Sequence, residues 1–218
     1  MKPRPSESLS TPFLPVPPAG TTAPSPQRAY TRLARESDVP GILECLRSAF
    51  GPYRSEYTIR AYRDTTLTAA SAYRRLMDMA VWVVVDRDGT ILATLSWARE
   101  SSRTAHLRGM AVDPSWQGTG IAQQLLDRVV AEIEGEGIEE ITLDTTLPLR
   151  RAARFYERNG FRRSGRVRDY LGIPLIEYRR EVRYPPGKDS SRSFPGARTR
   201  SLSRVRRAAR VQYGSRAR

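Results

Sequence analysis

The sequence predicts an α/β fold with a mixed central sheet of six or seven strands flanked by about four helices. The first observation behind this prediction is a β hairpin, because two apolar runs at 81–85 and 91–98 flank the turn dipeptide Asp88-Gly89. The second is a strand pattern at 104–112 that leads through a glycine-containing turn into a helix at about 119–134. Strands followed by amphipathic helices are typical of α/β proteins.

The N-terminal half supplies the first elements of this fold. A short strand is predicted at 31–34, and Ser37 or Asp38 is predicted to cap a helix with Pro40 in its first turn. Gly51-Pro52 ends that helix, and the run 53–79 is polar and aromatic with a second helix at about 68–79. The buried stripe expected on the first helix consists of Ile42, Leu43, Leu46 and Phe50.

The C-terminal half continues the alternation. A strand is predicted at 139–144, and Pro148 opens a further helix that ends at Asn159-Gly160 in a left-handed cap. Two last strands are expected at 161–168 and 175–180.

Composition divides the chain of 218 residues into three parts. Residues 1–28 hold eight of the sixteen prolines and show no apolar periodicity, so we expect a disordered leader. The folded domain is expected at 29–181. Residues 182–218 carry eleven basic residues and one acid, which accounts for +10 of the net charge of +14, and we expect a disordered basic tail.

Cysteine content and hydropathy indicate the compartment. The single cysteine, Cys45, cannot form an internal disulfide and lies on an apolar helical pattern, so we interpret it as a small buried side chain. No apolar run approaches membrane-spanning length, and the N-terminus lacks a secretory-type hydrophobic region. A cytoplasmic protein without membrane contact is therefore predicted.

The stretch 107–126, LRGMAVDPSWQGTGIAQQLL, contains the most informative motif. Gly118 and Gly120 lie directly before the helix, where successive backbone N–H groups and the positive end of the helix dipole suit a phosphate or pyrophosphate. An ordinary strand-to-helix turn also contains such glycines. No Lys-Ser/Thr pair follows, which excludes a Walker A loop, and the third glycine of a dinucleotide fold is absent.

Two motifs together resemble the GNAT superfamily of acyl-CoA-dependent N-acetyltransferases. The run 117–122, QGTGIA, is similar to the family's Gln/Arg-x-x-Gly-x-Gly/Ala motif, and the preceding strand 109–114, GMAVDP, to its usual lead-in. The run 152–161, AARFYERNGF, resembles the family's second motif. The resemblance covers about residues 29–181 and implies the GNAT fold, acetyl-CoA as co-substrate, and no metal.

Roles for individual residues follow from this resemblance. The backbone N–H groups of 118–122 would hold the phosphates while Gln117 shapes the loop. Main-chain groups of Met110 and Val112 would pair with the amides of the pantetheine arm. Tyr156 would stabilise the departing thiolate. Leu149 stands where many members carry an Asn, so a polar contact is lost or supplied by Thr145 or Thr146. The residues expected at the cofactor are Met110, Ala111, Val112, Gln117, Gly118, Thr119, Gly120, Ile121 and Ala122.

The sequence offers three candidates for the general base. His106, the only histidine, has an ordinary pKa suited to proton removal near neutrality, and strand alternation places it on the same face as Arg108 and Met110. Glu100, near the end of the previous strand, is the second candidate, and ordered water is the third.

The sequence leaves two functions open. The first is an N-acetyltransferase acting on a primary amine of a small molecule or protein. The alternative is a non-catalytic acyl-CoA-binding module docked on nucleic acid or the ribosome through its basic tail; a tail that is merely solvated fits the composition equally well. Three arginines, at 99, 103 and 108, are compatible with an acidic group near the acceptor or with a solvated face. A homodimer and a monomer are both compatible with the sequence.

Overall fold

The computed structural model describes residues 29–182. Sheet order is β1-β2-β3-β4-β5-β7-β6 in one seven-stranded sheet, in which β4 and β5 run parallel and the other neighbouring strands run antiparallel. The strands are β1 Tyr30–Leu33, β2 Ala80–Val85, β3 Ile91–Arg99, β4 Thr104–Val112, β5 Glu140–Thr146, β6 Arg162–Tyr170 and β7 Ile173–Glu181. The mixed α/β sheet predicted from the sequence is confirmed.

Within residues 29–182, five α-helices cover the two faces of this sheet. Their bounds are α1 Val39–Phe50, α2 Ile59–Thr66, α3 Ala69–Asp78, α4 Ile121–Gly135 and α5 Arg150–Arg158. The first core lies under α4 and α5, and the second lies between α1 to α3 and the opposite sheet face. The sheet is therefore the middle layer of three.

Helix α2 is the element that the sequence pattern did not reveal. Only Ala61 and Thr66 of its eight residues are buried, so it shows little apolar periodicity. Its start is fixed by a cap, since the Thr58 hydroxyl accepts a hydrogen bond from the Ala61 N–H at 3.1 Å. In α1 the buried stripe contains Cys45 as predicted, whereas Leu43 is only half-buried.

Strand β4 contains a bulge at the point where the site begins. Between Arg108 and Ala111, β4 has one residue more than the stretch of β3 that pairs with it, and Gly109 has a φ of +69°. Alternation is interrupted there, so Met110 packs into the core under α4 whereas Ala111 packs into the opposite core. The prediction that His106 shares a face with Met110 is wrong for this reason.

The parallel strands β4 and β5 separate beyond the bulge. They pair only from Thr104 opposite Glu140 to Leu107 opposite Leu143, yet β4 continues to Val112 and β5 to Thr146. The facing edges of both strands are left unpaired within the described residues, and the separation opens a cleft in the middle of the sheet.

The predicted leader and most of the predicted tail, at 1–28 and 183–218, lie outside the described residues. Val182, assigned to the tail from its sequence, is buried, and its N–H donates to the Glu139 carbonyl at 2.8 Å. No helix among residues 29–182 is long and apolar enough to cross a membrane.

Candidate active site

Two cavities meet in the cleft between β4 and β5. One, of about 350 Å³, lies beside the glycine loop, and the other, of about 270 Å³, lies beside His106. We call them the loop cavity and the acceptor cavity. Both are lined by the same five residues: Phe50, Met110, Leu149, Ala152 and Tyr156. A molecule bound in one cavity can therefore reach a molecule bound in the other.

The glycine loop forms one wall of the loop cavity. Gly118 and Gly120 have φ values of +86° and +93°, a conformation that side-chain-bearing residues rarely adopt. Gln117 holds the loop to the strand, because its Nε2 donates to the Val112 carbonyl at 3.2 Å and its Oε1 accepts from Arg151 at 3.0 Å. The sequence motif is thus a preformed turn in front of α4.

Several N–H groups of this loop have no acceptor among residues 29–182. These are the N–H groups of Gly118, Gly120, Ile121, Ala122 and Gln123, the last three of which begin α4. The exception is Thr119, whose N–H donates to the Trp116 carbonyl at 3.4 Å and whose hydroxyl donates there at 2.7 Å. The N–H of Thr119 is therefore already engaged in this structure, and the expected role of 118–122 at the phosphates stays a prediction.

Most of the other residues expected at the cofactor line the loop cavity, and one has its side chain in the core instead. Met110, Ala111, Val112, Gln117 and Ala122 line the loop cavity. The Ile121 side chain is fully buried in the core under α4, so only its backbone faces the loop. The cavity also contains Arg151 and Arg158, two cations that the motif alone did not indicate.

Tyr156 projects from α5 into the junction of the two cavities. Its ring packs edge-on against Phe155 and Phe161, with ring centroids 5.5 and 5.7 Å away, and it is 7% exposed. Burial raises the pKa of the phenol, so the hydroxyl is protonated at neutral pH and can donate. Its hydroxyl forms no hydrogen bond with another described residue.

The start of α5 shows how the chain manages without an Asn at position 149. Leu149 gives no side-chain cap, and its N–H donates to the Thr146 carbonyl at 3.1 Å. The Thr146 hydroxyl is paired with the Tyr57 hydroxyl at 2.7 Å. The buried Thr145 hydroxyl has no partner within residues 29–182, so of the two threonines it is the one with a free polar group.

His106 lies in the acceptor cavity, largely buried. Its Nδ1 is 2.9 Å from the Thr142 hydroxyl, which itself donates to the Ala105 carbonyl at 3.3 Å. Since that hydroxyl has one proton, we infer that Nδ1 carries the imidazole proton and that Nε2 is free to accept one. Nε2 lies 3.7 Å from Oδ2 of Asp144.

The pKa of His106 is lowered, mainly because burial disfavours the charged ring. The cations Arg108 and Arg168 act in the same direction, while Asp144 and Glu100 oppose them. Glu100 itself lies in the exposed turn after β3 and lines neither cavity. The structure brings His106 to the site and leaves Glu100 outside it.

The acceptor cavity also contains charged residues that sequence reasoning missed. Arg75 of α3 and Asp64 of α2 come from the run 53–79, and Asp144 lies near the end of β5, next to the cleft. The position of Asp144 at the carboxyl end of a strand beside β4 was a usable signal, whereas nothing in the local sequence indicated Arg75. Of the three arginines considered, only Arg108 lines the cavity.

The two remaining arginines have structural roles. Arg99 bonds to the Ser102 carbonyl and to Glu136, and Arg103 pairs with Glu139. The free thiol of Cys45 is buried among apolar side chains, which raises its pKa to about 12 and agrees with its predicted packing role.

The fold and the motifs define the class of protein. The model of the Acetyltransferase (GNAT) family matches residues 42–161, more than half of the chain. The chain belongs to the GNAT acetyltransferase family.

Relatives and solved structures agree with this membership. The chain is 32% identical over 123 residues to N-acetylaspartate synthetase of Danio rerio, covering 54% of this chain and 44% of that protein. It therefore spans less than half of that relative's length. A GNAT-family acetyltransferase from Staphylococcus aureus superposes with a TM-score of 0.60 at 20% identity, over 71% of this chain and 99% of that one. The PaiA N-acetyltransferase of Thermoplasma acidophilum, solved in complex with coenzyme A, superposes with a TM-score of 0.58 at 18% identity, with the same coverage.

Proposed function

We propose that this protein is an acyl-CoA-dependent N-acetyltransferase that transfers an acetyl group to a primary amine of a small molecule or protein by direct attack in a ternary complex. The observation that carries the proposal is the junction of the two cavities at Tyr156, next to the unpaired edges of β4 and β5. Acetyl-CoA supplies the thioester whose acetyl group is transferred. The amine would enter from the acceptor cavity.

The loop cavity fits coenzyme A chemically. The open N–H groups of Gly118, Gly120 and the first turn of α4 suit a pyrophosphate, and Arg151 and Arg158 add positive charge. The unpaired edge of β4 beyond the bulge offers main-chain groups to the amides of the pantetheine arm. Met110 and Ala111 would flank this arm.

His106 is the proposed general base, and Tyr156 the proposed donor to the leaving sulfur. A neutral imidazole with Nε2 free can accept the proton that the amine loses, directly or through one water. Tyr156 keeps its proton because of its burial, and its hydroxyl is unpaired within the described residues. General acid and base groups each contribute typically 10²–10⁴-fold to a rate.

The alternative, a non-catalytic acyl-CoA-binding module, is supported less well. Such a module needs the loop cavity alone, yet the chain also contains a second cavity with a buried histidine and a tyrosine facing it. Docking on nucleic acid would depend on the basic tail, which lies outside the described residues. A cytoplasmic location stays a prediction from the sequence.

The test combines binding with turnover in the full chain. Calorimetric titration with coenzyme A should give saturable heat, and a panel of primary amines with acetyl-CoA should release free thiol. The buried Cys45 is a small source of background in that assay. Saturable binding without thiol release from any amine would favour the binding module, and no binding would overturn both. Removing residues 183–218 should leave turnover intact. If the full chain shows no turnover and this deletion abolishes its retention on heparin, the docking alternative is favoured.

A further inference from the structure

Arg75 is a largely buried cation that forms no ion pair with the residues that the structure describes. Its guanidinium lines the acceptor cavity and forms no hydrogen bond or ion pair with any residue in the described range 29–182. It lies against Gly109 at the bulge of β4, where an added β-carbon would collide with the guanidinium. Burial and the neighbouring Arg108 lower its pKa to about 10, which leaves it charged at neutral pH.

The carboxylates of the cavity are engaged elsewhere. Asp64, whose charge acts on Arg75, accepts hydrogen bonds from Arg108 at 2.7 Å and from the Tyr170 hydroxyl. Asp169 accepts from the Gly172 N–H at 3.3 Å. Arg75 and Arg108 thus face the one carboxylate of Asp64, which is already bonded to Arg108. A buried charge such as that of Arg75 is costly when it has no partner.

The third carboxylate, Asp144, bonds to Arg168 at 2.5 Å through Oδ2 and faces His106. Its other oxygen, Oδ1, is buried and has no hydrogen-bond partner within residues 29–182. The cavity is therefore lined by the carboxylate of Asp144 beside the proposed base and by an unused guanidinium at Arg75. These two groups are complementary to a molecule that carries both an amine and a carboxylate.

We propose that the acceptor is a small amine that also carries a carboxylate, and that Arg75 binds this carboxylate. The inference rests on the proposed N-acetyltransferase function and names its substrate class. A guanidinium binds a carboxylate through two parallel hydrogen bonds, which Lys cannot reproduce. The cavity of about 270 Å³ is small compared with pockets for drug-sized ligands, so the molecule is small.

The test uses the full chain saturated with coenzyme A, the common L-amino acids, and the carboxamides of the same compounds. Direct binding is measured by calorimetry, and turnover with acetyl-CoA by thiol release. The wild type should bind and acetylate at least one acid about 100-fold better than the matched carboxamide, as expected for a charge-assisted pair. Equal values for every acid and its carboxamide would overturn the proposal.

Arg75→Met should weaken the preferred acid about 100-fold, mainly through KM, and leave the carboxamide unchanged. Arg75→Lys should recover only part of the loss. Arg74→Met is the matched control, because Arg74 is exposed on the same helix, and it should behave as the wild type. Equal loss for acid and carboxamide in Arg75→Met would show a structural role and refute the inference.

The two proposals fail separately in this design. Selective binding of an acid that disappears in Arg75→Met, without thiol release, would count against acetyl transfer and leave the carboxylate site standing. Thiol release with acids and carboxamides at equal rates, and for both unchanged in Arg75→Met, would count against the carboxylate site and leave acetyl transfer standing. If Arg75→Met does not fold, Arg75→Lys carries the comparison, since it retains the charge.

Discussion

Replacing Tyr156 with phenylalanine removes a single oxygen atom at the junction of the two cavities. The hydroxyl has no hydrogen bond to another described residue, so its loss leaves no buried group without a partner. The ring contacts with Phe155 and Phe161 remain. We therefore expect the free energy of unfolding to change by less than about 0.5 kcal/mol.

The effect on catalysis should be much larger. If Tyr156 donates to the leaving sulfur, its loss should lower kcat about 100-fold, which corresponds to about 2.7 kcal/mol of transition-state stabilisation. The affinity for coenzyme A should stay within about twofold of the wild type, because the proposed phosphate site is the glycine loop and not Tyr156. Steady-state thiol release gives kcat, calorimetry gives Kd, and thermal melting gives the stability.

Tyr178→Phe is the matched control with the opposite expected outcome. The Tyr178 hydroxyl accepts from Arg163 at 3.0 Å and donates to Glu157 at 3.2 Å, and the residue lines neither the loop cavity nor the acceptor cavity. This variant should lose about 1 to 3 kcal/mol of stability and keep its kcat. A wild-type kcat in Tyr156→Phe would refute the proposed role, and a fall in coenzyme A affinity matching the fall in kcat would indicate packing instead.

Two further predictions concern the glycine loop and the base. Gly120→Ala and Gly89→Ala each force a side chain into a positive φ with open space around it, so both should lose about 1 kcal/mol of stability. Only Gly120→Ala should also weaken coenzyme A binding, by roughly tenfold or more in calorimetry, because the new methyl group enters the proposed phosphate site; equal affinities would contradict that site. For His106, the lowered pKa means that the neutral base persists below the ordinary value of 6.5 and that kcat/KM falls only as the pH drops through the lowered pKa. A pH profile should show this acidic limb below 6.5 in the wild type and lose it in His106→Gln; a limb unchanged in the variant would exclude His106 as the base.

The glycine loop and Tyr156 could be predicted from the sequence because both belong to local motifs. The turn and the helix in these segments follow from residue spacing, whereas the roles of the residues at the cofactor follow from the resemblance of the motifs to the GNAT family and stay predictions. His106 could be located on its strand for the same reason. Its face relative to Met110 could not, because one extra residue at Gly109 changes the alternation.

Arg75, Asp64 and Asp144 could not be foreseen as a group. They come from two helices and a strand that are brought together only by the packing of α2 and α3 against the sheet. Helix α2 was itself missed because its buried residues are a small Ala and a Thr, and apolar periodicity gives no signal for such a segment. Charge convergence of this kind belongs to the tertiary structure.

Because β4 and β5 pair over a short length, the sheet consists of two parts, β1 to β4 and β5 to β7. Four residue pairs, from Thr104 opposite Glu140 to Leu107 opposite Leu143, connect them. A ligand that pairs with the unpaired edge of β4 would connect the two parts of the sheet where β4 and β5 do not pair. Amide hydrogen exchange along the end of β5 should then slow on addition of coenzyme A, and the melting temperature should rise with its concentration.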